Sequence, residues 1–190
     1  MEADFPVFLD ACVLANHAVT DLLLRVADGP RLFCPHWTEK VLEETRRTLL
    51  ADLSWPQDLV DYRESEMRQH FPEAMISGFE PLIERMTNSP EDRHVLAGAV
   101  WGNCGALSTF NLRDFPEVAL APWEVEAVHP GELLCDLYDL NESAVLAQLY
   151  GIAKDRNRTL AAVLTTLNRF VPNFVGEVTD RLGLEMDLSK

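Results

Sequence analysis

The chain is short of basic residues, with 16 Lys and Arg against 31 Asp and Glu and a formal net charge of −15. Phosphate groups are bound mainly by Lys and Arg, so this balance argues against a protein that wraps a polyanion through a broad basic face. It leaves open a site where divalent cations sit on acidic side chains, because a metal ion reverses the sign of the charge that a phosphate meets.

Long apolar runs are also missing. No stretch approaches the roughly 18 to 20 continuous apolar residues that a membrane span needs, and residues 1–6 lack the basic start and apolar run of a signal peptide. We therefore expect a soluble cytoplasmic protein. Widely spaced cysteines without a C-x-x-C pair favour buried free thiols over disulfides or a zinc site, at positions Cys12, Cys34, Cys104 and Cys135.

What is present is the composition of an ordinary globular domain, with 47% apolar and 25% charged residues. Short apolar runs predict strands at 6–9, 31–34, 106–110 and 125–128. Apolar residues at helical spacing predict helices at 14–28, 36–50, 56–70 and from about 89 to a stop around 102–105. Strands that alternate with helices indicate an α/β fold with a parallel sheet covered on both faces.

Two of these helices carry start signals. Ser54 to Gln57 is typical of a capping box, and Ser89 followed by Pro90, Glu91 and Asp92 is typical of an N-cap. Residues 72–89 are less periodic. The small residues 97–99 predict close approach of their helix to the sheet.

From residue 130 onward the pattern is helical only. Helices are predicted at 132–140, 142–154, 160–171 and 173–182. We therefore divide the chain into an α/β domain, 1–130, and a C-terminal helical extension, 131–190.

Acidic and amide side chains recur where strands end and helices begin. Asp10 ends the first strand, Asp92 lies in the first turn of a helix, Asn111 and Asp114 follow the third strand, and Glu44 is about two turns into the second helix. In a parallel α/β unit these places meet at one edge of the sheet, where ligands bind. The sequence therefore predicts that these residues, distant along the chain, converge on a single site.

Carboxylates without cationic partners repel one another unless a divalent ion neutralises them. Their oxygens suit Mg²⁺ or Mn²⁺, which can lower the pKa of a water nucleophile and stabilise charge on an attacked phosphate. Taken singly, each residue has a simpler explanation. Asp10, Asn111 and Asp114 are common turn formers, Asp92 suits a helix cap, and Glu44 suits a solvated helix face. Only their shared location favours a metal site.

Three basic residues stand nearest in sequence to these acids and are the preferred phosphate contacts: Arg46, Arg47 and Arg93. His36 and His94 lie near helix starts, where surface or capping roles are expected. The tryptophans fall within apolar patterns and are expected in the core, at positions Trp37, Trp55, Trp101 and Trp123.

Four stretches in order resemble the PIN domain, the ribonuclease domain of VapC-type toxins. They are VFLDACVL at 7–14, WTEKVLEE at 37–44, DRHVLAGA at 92–99 and TFNLRDF at 109–115. The resemblance covers residues 6 to about 128. It implies a Rossmann-like three-layer α/β/α sandwich and hydrolysis of RNA by a water that Mg²⁺ or Mn²⁺ activates.

By motif, the resemblance places the family's three principal acids at Asp10, Glu44 and Asp92. Asn111 and Asp114 fall on its more variable fourth region. Thr109 matches a hydroxyl that supports the site, and Glu43 is the neighbour that a shift of one residue would select. The chain departs from the pattern after the first acid, where many PIN domains have Ser or Thr and this chain has Ala11 and Cys12.

Three functions follow in order of preference. The first is an endoribonuclease toxin with RNA as substrate, a cognate antitoxin as partner and a homodimer as its assembly, all implied by the resemblance. The second is a PIN-like module that binds RNA or protein with little or no catalysis, which the negative charge favours. The third is a phosphotransferase or phosphatase with Asp10 as nucleophile, which is weaker because Cys12 stands where a second Asp is normally found.

Overall fold

The computed structural model describes residues 5–185 and contains a five-stranded sheet in which every paired strand is parallel. The strands are β1 (Pro6–Leu9), β2 (Cys34–Thr38), β3 (Met75–Ile76), β4 (Ala106–Ser108) and β5 (Glu126–Val128). Their order across the sheet is β3-β2-β1-β4-β5. The first strand is therefore central, and Val7, Phe8 and Leu9 have no exposed surface.

The α-helices of the first part of the chain are α1 (Ala11–Ala15), α2 (His17–Asp28), α3 (Glu39–Arg47), α4 (Gln57–His70), α5 (Arg93–Trp101) and α6 (Glu117–Leu120). A π-helical turn, Thr48–Asp52, follows α3, and 3-10 turns lie at Glu80–Arg85, Leu112–Asp114 and Ala121–Trp123. Helices connect successive parallel strands, as crossovers between parallel strands require. The predicted α/β class with a central parallel sheet and a PIN-like three-layer arrangement is confirmed.

Helix α5 approaches the sheet closely, as its small residues predict. A Cβ atom on Gly98 would stand 2.8 Å from Cε2 of Phe8 and 2.9 Å from Cγ2 of Thr38. Only a residue without a side chain fits this contact. The glycine thus sets how near the start of α5, and with it Asp92, lies to the end of β1.

The second strand was predicted in the wrong place. It lies at Cys34–Thr38 and not at 31–34, because Pro6, Val7 and Phe8 pair with Cys34, Pro35 and His36. The following helix begins at Glu39, since Thr38 caps it by accepting a hydrogen bond from the Val41 amide at 3.3 Å. Glu44 therefore lies nearer the start of its helix than the sequence predicted.

The single helix predicted at 14–28 is two helices that meet at Asn16. Its backbone ends α1, and its side chain accepts a hydrogen bond from the Val19 amide and caps α2. Because the break comes only six residues after Asp10, the first residues of α2, His17 and Ala18, line the same cavity as Asp10.

Both predicted helix caps are wrong. Pro56 stands at the N-cap of α4 without a side-chain cap bond, and Ser54 has a positive φ of 53°. At α5 the N-cap position belongs to Asp92, whose amide donates to the Ser89 carbonyl at 2.9 Å in a preceding turn. This turn leaves the Asp92 carboxylate at the very start of the helix.

Three further features differ from the sequence predictions. The short strand β3 lies in the segment 72–89, where two residues are too few to show alternation. Trp101 is 50% exposed and does not belong to the core, whereas Trp37 is fully buried. Cys104 is buried, but the other three cysteines are only partly so.

The C-terminal helices are α7 (Pro130–Leu140), α8 (Glu142–Asp155), α9 (Leu160–Asn168) and α10 (Pro172–Leu182). Helices α8 and α9 pack against α2, and buried residues of both parts form one continuous hydrophobic core. The domain division at residue 130 remains a prediction, and the last five residues of the predicted extension lie outside the described part. Within residues 5–185, no helix combines the length and apolar character needed to cross a membrane.

Candidate active site

Asp10 is the most firmly held acid of the site. It is 5% exposed at the end of β1, and its two carboxylate oxygens accept three hydrogen bonds. Oδ1 accepts from the Ala11 amide at 2.6 Å, while Oδ2 accepts from Thr109 Oγ1 at 2.7 Å and from Cys12 Sγ at 3.2 Å. Donors of this kind fix the direction in which the carboxylate points.

Cys12 in α1 and Thr109, directly after β4, form a small network that supports Asp10. Thr109 Oγ1 accepts from the Asn111 amide at 3.0 Å, and Cys12 Sγ accepts from the Phe110 amide at 3.3 Å. Burial and the adjacent Asp10 raise the pKa of Cys12 to about 12, so the thiol keeps its proton and can donate it. The Cys12 thiol is therefore a protonated donor to Asp10, in a chain that has no Ser or Thr hydroxyl directly after this acid.

Glu44 reaches the same edge from α3 and contacts His94 on α5. His94 Nε2 lies 2.9 Å from Glu44 Oε1, and the imidazole is 2% exposed. Burial alone would raise the pKa of Glu44, but the hydrogen bond and charge of His94, with Lys40 and Arg47 nearby, hold it below its ordinary value. Glu44 is thus an ionised carboxylate at neutral pH, clamped by a buried histidine.

Asp92 lies near enough to two other acids for their charges to act on it. Its pKa is raised, first by burial and then by the negative charges of Asp10 and Asp114. His94 and a hydrogen bond with Ser89 oppose this shift only partly. Three acids from separate segments therefore share one electrostatic environment in which negative charge accumulates.

These side chains line a cavity of about 1070 Å³ at the carboxyl edge of the sheet, which includes Asp10, Glu44, Asp92 and Asn111. Lys40 and Arg47, from the same helix as Glu44, line it as well. The structure thus brings together four of the five residues predicted to hold a metal. Asp114 is not among the lining residues, although its charge acts on Asp92.

Three residues named from the sequence lie elsewhere. Glu43 is exposed and outside the cavity. Arg46 forms ion pairs with Asp61 and Glu64 of α4, on another side of α3. The Nε atom of Arg93 lies 3.5 Å from the Asn88 carbonyl, and the residue does not line the cavity.

Other residues of the site were not selected from the sequence. His94 was expected at the surface or in a capping role, although it stands two residues after Asp92 on a helix whose following residues, 95–101, are apolar or small, and that position was the available signal. Lys40 precedes Glu44 by four residues, so both lie on one helix face. Arg156 and Phe170 come from the C-terminal helices, and no local pattern connects them with the acids.

The oxygen donors fit a hard divalent cation by their chemistry. Among residues 5–185, no three His, Cys, Asp or Glu side chains already lie close enough to ligate one ion together. Mg²⁺ does not require such a set, because it usually keeps several waters and binds the protein through one or two carboxylates. The charge accumulated around Asp92 is the observation that favours a cation here.

The fold and the cavity define an α/β protein with a carboxylate site at the carboxyl edge of a parallel sheet. One relative of known name allows a more specific comparison than the fold does. The chain is 37% identical over 107 residues to "Putative ribonuclease VapC50" of Mycobacterium tuberculosis, in a match that covers 55% of this chain and 63% of that protein. This similarity confirms the resemblance to VapC-type PIN domains. No protein-family profile and no solved structure matches the chain.

Proposed function

We propose that the chain is a metal-dependent endoribonuclease and the toxin of a type II toxin-antitoxin pair. The observation that carries the proposal is that carboxylates from three segments share a cavity at the carboxyl edge of the sheet. The pKa of Asp92 is raised by burial and then by the charges of Asp10 and Asp114, as expected at such a site. The relative named a ribonuclease adds support from sequence.

The metal ligands in this proposal are Asp10, Glu44, Asp92, Asn111 and Asp114, directly or through water. When bound, Mg²⁺ or Mn²⁺ supplies a water nucleophile of lowered pKa and stabilises charge on the attacked phosphodiester. The ion thereby also offsets the repulsion among the acids.

The chain's own residues hold the acidic side chains in position and supply positive charge for the phosphate. Thr109 and Cys12 hold the Asp10 carboxylate from one side, and the Ala11 amide holds it from the other. His94 fixes the direction of Glu44. Lys40 and Arg47 place positive charge on the wall of the cavity, where a backbone phosphate of RNA can bind.

A cognate antitoxin, a homodimer and a cytoplasmic location are part of the proposal through the resemblance alone. An antitoxin segment with an apolar helix and a basic residue would suit an acidic cavity electrostatically. Co-purification with the product of an adjacent small gene tests the first of these, and light scattering of the purified chain tests the second.

The second candidate is a binding module without efficient catalysis. The net charge of −15 and the separation of the acids in the described structure favour it. It predicts RNA or protein binding that does not change when the acids are replaced.

The deciding experiment is cleavage of a mixed RNA pool with Mg²⁺, with Mn²⁺ and with EDTA. The wild type is compared with Asp10→Asn and Asp92→Asn, and with Asp180→Asn as a control on the exposed surface of α10. We expect cleavage that requires metal, that Asp10→Asn and Asp92→Asn abolish and that Asp180→Asn retains. Cleavage that survives both substitutions indicates a contaminant or another site, and no cleavage by any protein favours the binding module.

Metal binding is also measurable without activity. A ligand present at 100 times its dissociation constant stabilises a protein by about 2.7 kcal/mol, or roughly 5 to 11 °C in melting temperature for a chain of this size. Mg²⁺ or Mn²⁺ should raise the melting temperature of the wild type and of Asp180→Asn, but not that of Asp10→Asn. Equal shifts in all three proteins would show that the ion binds elsewhere.

A further inference from the structure

Part of the cavity wall is built by the C-terminal helices. Arg156 at the end of α8, and Thr166 and Phe170 at the end of α9, line the same cavity as Asp10 and Asp92. Trp55, from the segment before α4, lines it too. The extension therefore takes part in the site and does more than cover α2.

This wall offers aromatic surface to the solvent. Phe170 lines the cavity and is 41% exposed, so much of its ring is available to a ligand. The Trp55 ring packs edge-on against the His17 ring, with centroids 5.3 Å apart and an interplanar angle of 72°. This contact fixes the indole while leaving part of it on the cavity surface.

Arg156 is held in place on the same wall. Its terminal nitrogen donates to Asp21 at 2.6 Å and lies 3.0 Å from His17 Nε2. Burial, then Arg156 and Arg63, lower the pKa of His17, so the imidazole is neutral at neutral pH and accepts this hydrogen bond. Arg156, His17 and Trp55 thus form one connected unit, and 33% of the Arg156 side chain remains exposed.

We propose that this wall, formed by Trp55, Arg156 and Phe170, binds single-stranded RNA, with the aromatic rings stacking on unpaired bases and the guanidinium contacting the backbone. The proposal rests on the function proposed above. Aromatic stacking requires bases that are free of pairing, so it selects single strands. A cavity of about 1070 Å³ reaches the upper end of the range for small-ligand pockets, and a stretch of chain suits it better than one nucleotide.

The cations of the cavity favour nucleic acid over an apolar peptide. Arg156 lies on this wall, and Lys40 and Arg47 line the same cavity beside the acids. An apolar protein helix would gain from the aromatic rings but would not use Lys40, Arg47 or the exposed part of Arg156, which is also paired with Asp21. A nucleotide chain uses both, since its bases stack and its phosphates pair with the cations.

The test measures binding and not cleavage. Fluorescence anisotropy follows a labelled single-stranded RNA of mixed sequence in Mg²⁺ buffer, and every protein carries Asp10→Asn so that the RNA stays intact. Phe170→Leu and Trp55→Leu keep apolar side chains but remove the rings. We expect binding about tenfold weaker for each, equivalent to about 1.4 kcal/mol. Phe170→Tyr keeps an aromatic ring and should therefore bind as tightly as the parent.

Tyr150→Leu is the matched control. Tyr150 is a 54% exposed aromatic residue on α8 that does not line the cavity, so its replacement should leave the affinity unchanged. Arg156→Gln should reduce the slope of log affinity against log salt by about 0.7, as expected for one lost phosphate contact on a single strand. A duplex of the same sequence should bind more weakly than the single strand.

The outcomes separate this proposal from the nuclease itself. RNA binding that is equal in the parent, Phe170→Leu and Trp55→Leu overturns the RNA-binding wall even if the wild type is a metal-dependent nuclease. Absence of RNA binding by the parent overturns it as well, and protein then becomes the better candidate for this surface. Binding that depends on both rings, in a chain that cleaves nothing, upholds the wall and counts against the nuclease.

Discussion

Replacing Thr109 by Val removes the donor that holds Asp10 while keeping the shape of the side chain. Thr109 is fully buried, so no solvent can substitute for the lost hydroxyl. A hydrogen bond to a charged group contributes about 1.5 to 3 kcal/mol, and the Asn111 amide loses its acceptor in addition. Greater burial of apolar surface by Val offsets part of this. We expect the free energy of unfolding to fall by about 2 to 3 kcal/mol, or roughly 4 to 12 °C in melting temperature.

Thr109→Ser is the matched variant because it keeps the hydroxyl and loses only a methyl group. Deleting a buried methyl costs about 1 kcal/mol, so Ser should destabilise the protein less than half as much as Val. If Asp10 is a metal ligand, groups that orient it matter for function, and their loss typically costs 10- to 100-fold in metal affinity or activity. That loss should appear in Val and not in Ser.

The measurements are urea unfolding for stability and the dependence of RNA cleavage on Mg²⁺ concentration for function. If Val and Ser are equally stable and equally active, the hydroxyl does not orient Asp10, and the reasoning about this network is wrong. If Val loses stability but retains the metal dependence of Ser, Thr109 has only a structural role.

Three other predictions test the fold and the electrostatics. Gly98→Ala should destabilise the protein by about 1 to 2 kcal/mol in urea unfolding, because the clash with Phe8 outweighs the gain in helix propensity. Gly176→Ala in α10, with no atom within 4 Å, should instead stabilise it by up to about 1 kcal/mol, and the same sign for both would contradict the packing. Since the folded state lowers the pKa of His17 below 6.5, the unfolded chain binds more protons there, and stability is lost as pH falls below that value. His17→Gln should therefore lose less stability than the wild type between about pH 7 and about pH 5. The same dependence of melting temperature on pH in both proteins would refute this. With a pKa of about 12, Cys12 should react with iodoacetamide at least about tenfold more slowly in the folded than in the unfolded protein, and rapid alkylation seen by peptide mass spectrometry would contradict its burial.

The order of strands and helices was predictable because it depends on short-range patterns. The first strand at 6–9, the long helix 57–70 and the four C-terminal helices appear within a few residues of their predicted positions. The parallel sheet then follows from strands separated by helices. This order is sufficient to place Asp10, Asp92 and Asn111 at one edge, because the carboxyl ends of parallel strands share that edge.

What could not be predicted depends on pairing between distant segments. The second strand was shifted because its position is fixed by Pro6 to Phe8 and not by its own apolar content, which includes Pro35 and His36. The Glu44 and His94 contact joins residues 50 apart in sequence, and the Asp10 and Thr109 bond joins residues 99 apart. No local pattern reports such pairs, although helix and strand edges indicate which residues are available for them.

The negative charge of the chain and a function on RNA are compatible if affinity comes from few, specialised contacts. Among the described residues, five arginines form ion pairs with acids: Arg25, Arg46, Arg68, Arg156 and Arg181. The cavity itself is lined by only three Lys or Arg residues, Lys40, Arg47 and Arg156, so counterion release there can contribute little, and RNA binding should depend only weakly on salt for a nucleic-acid-binding protein. Stacked bases must then supply most of the affinity, together with a bound metal in the wild type. A steep salt dependence would show that RNA binds through a basic face outside this cavity, and it would count against both the metal site and the aromatic wall as the main sources of binding.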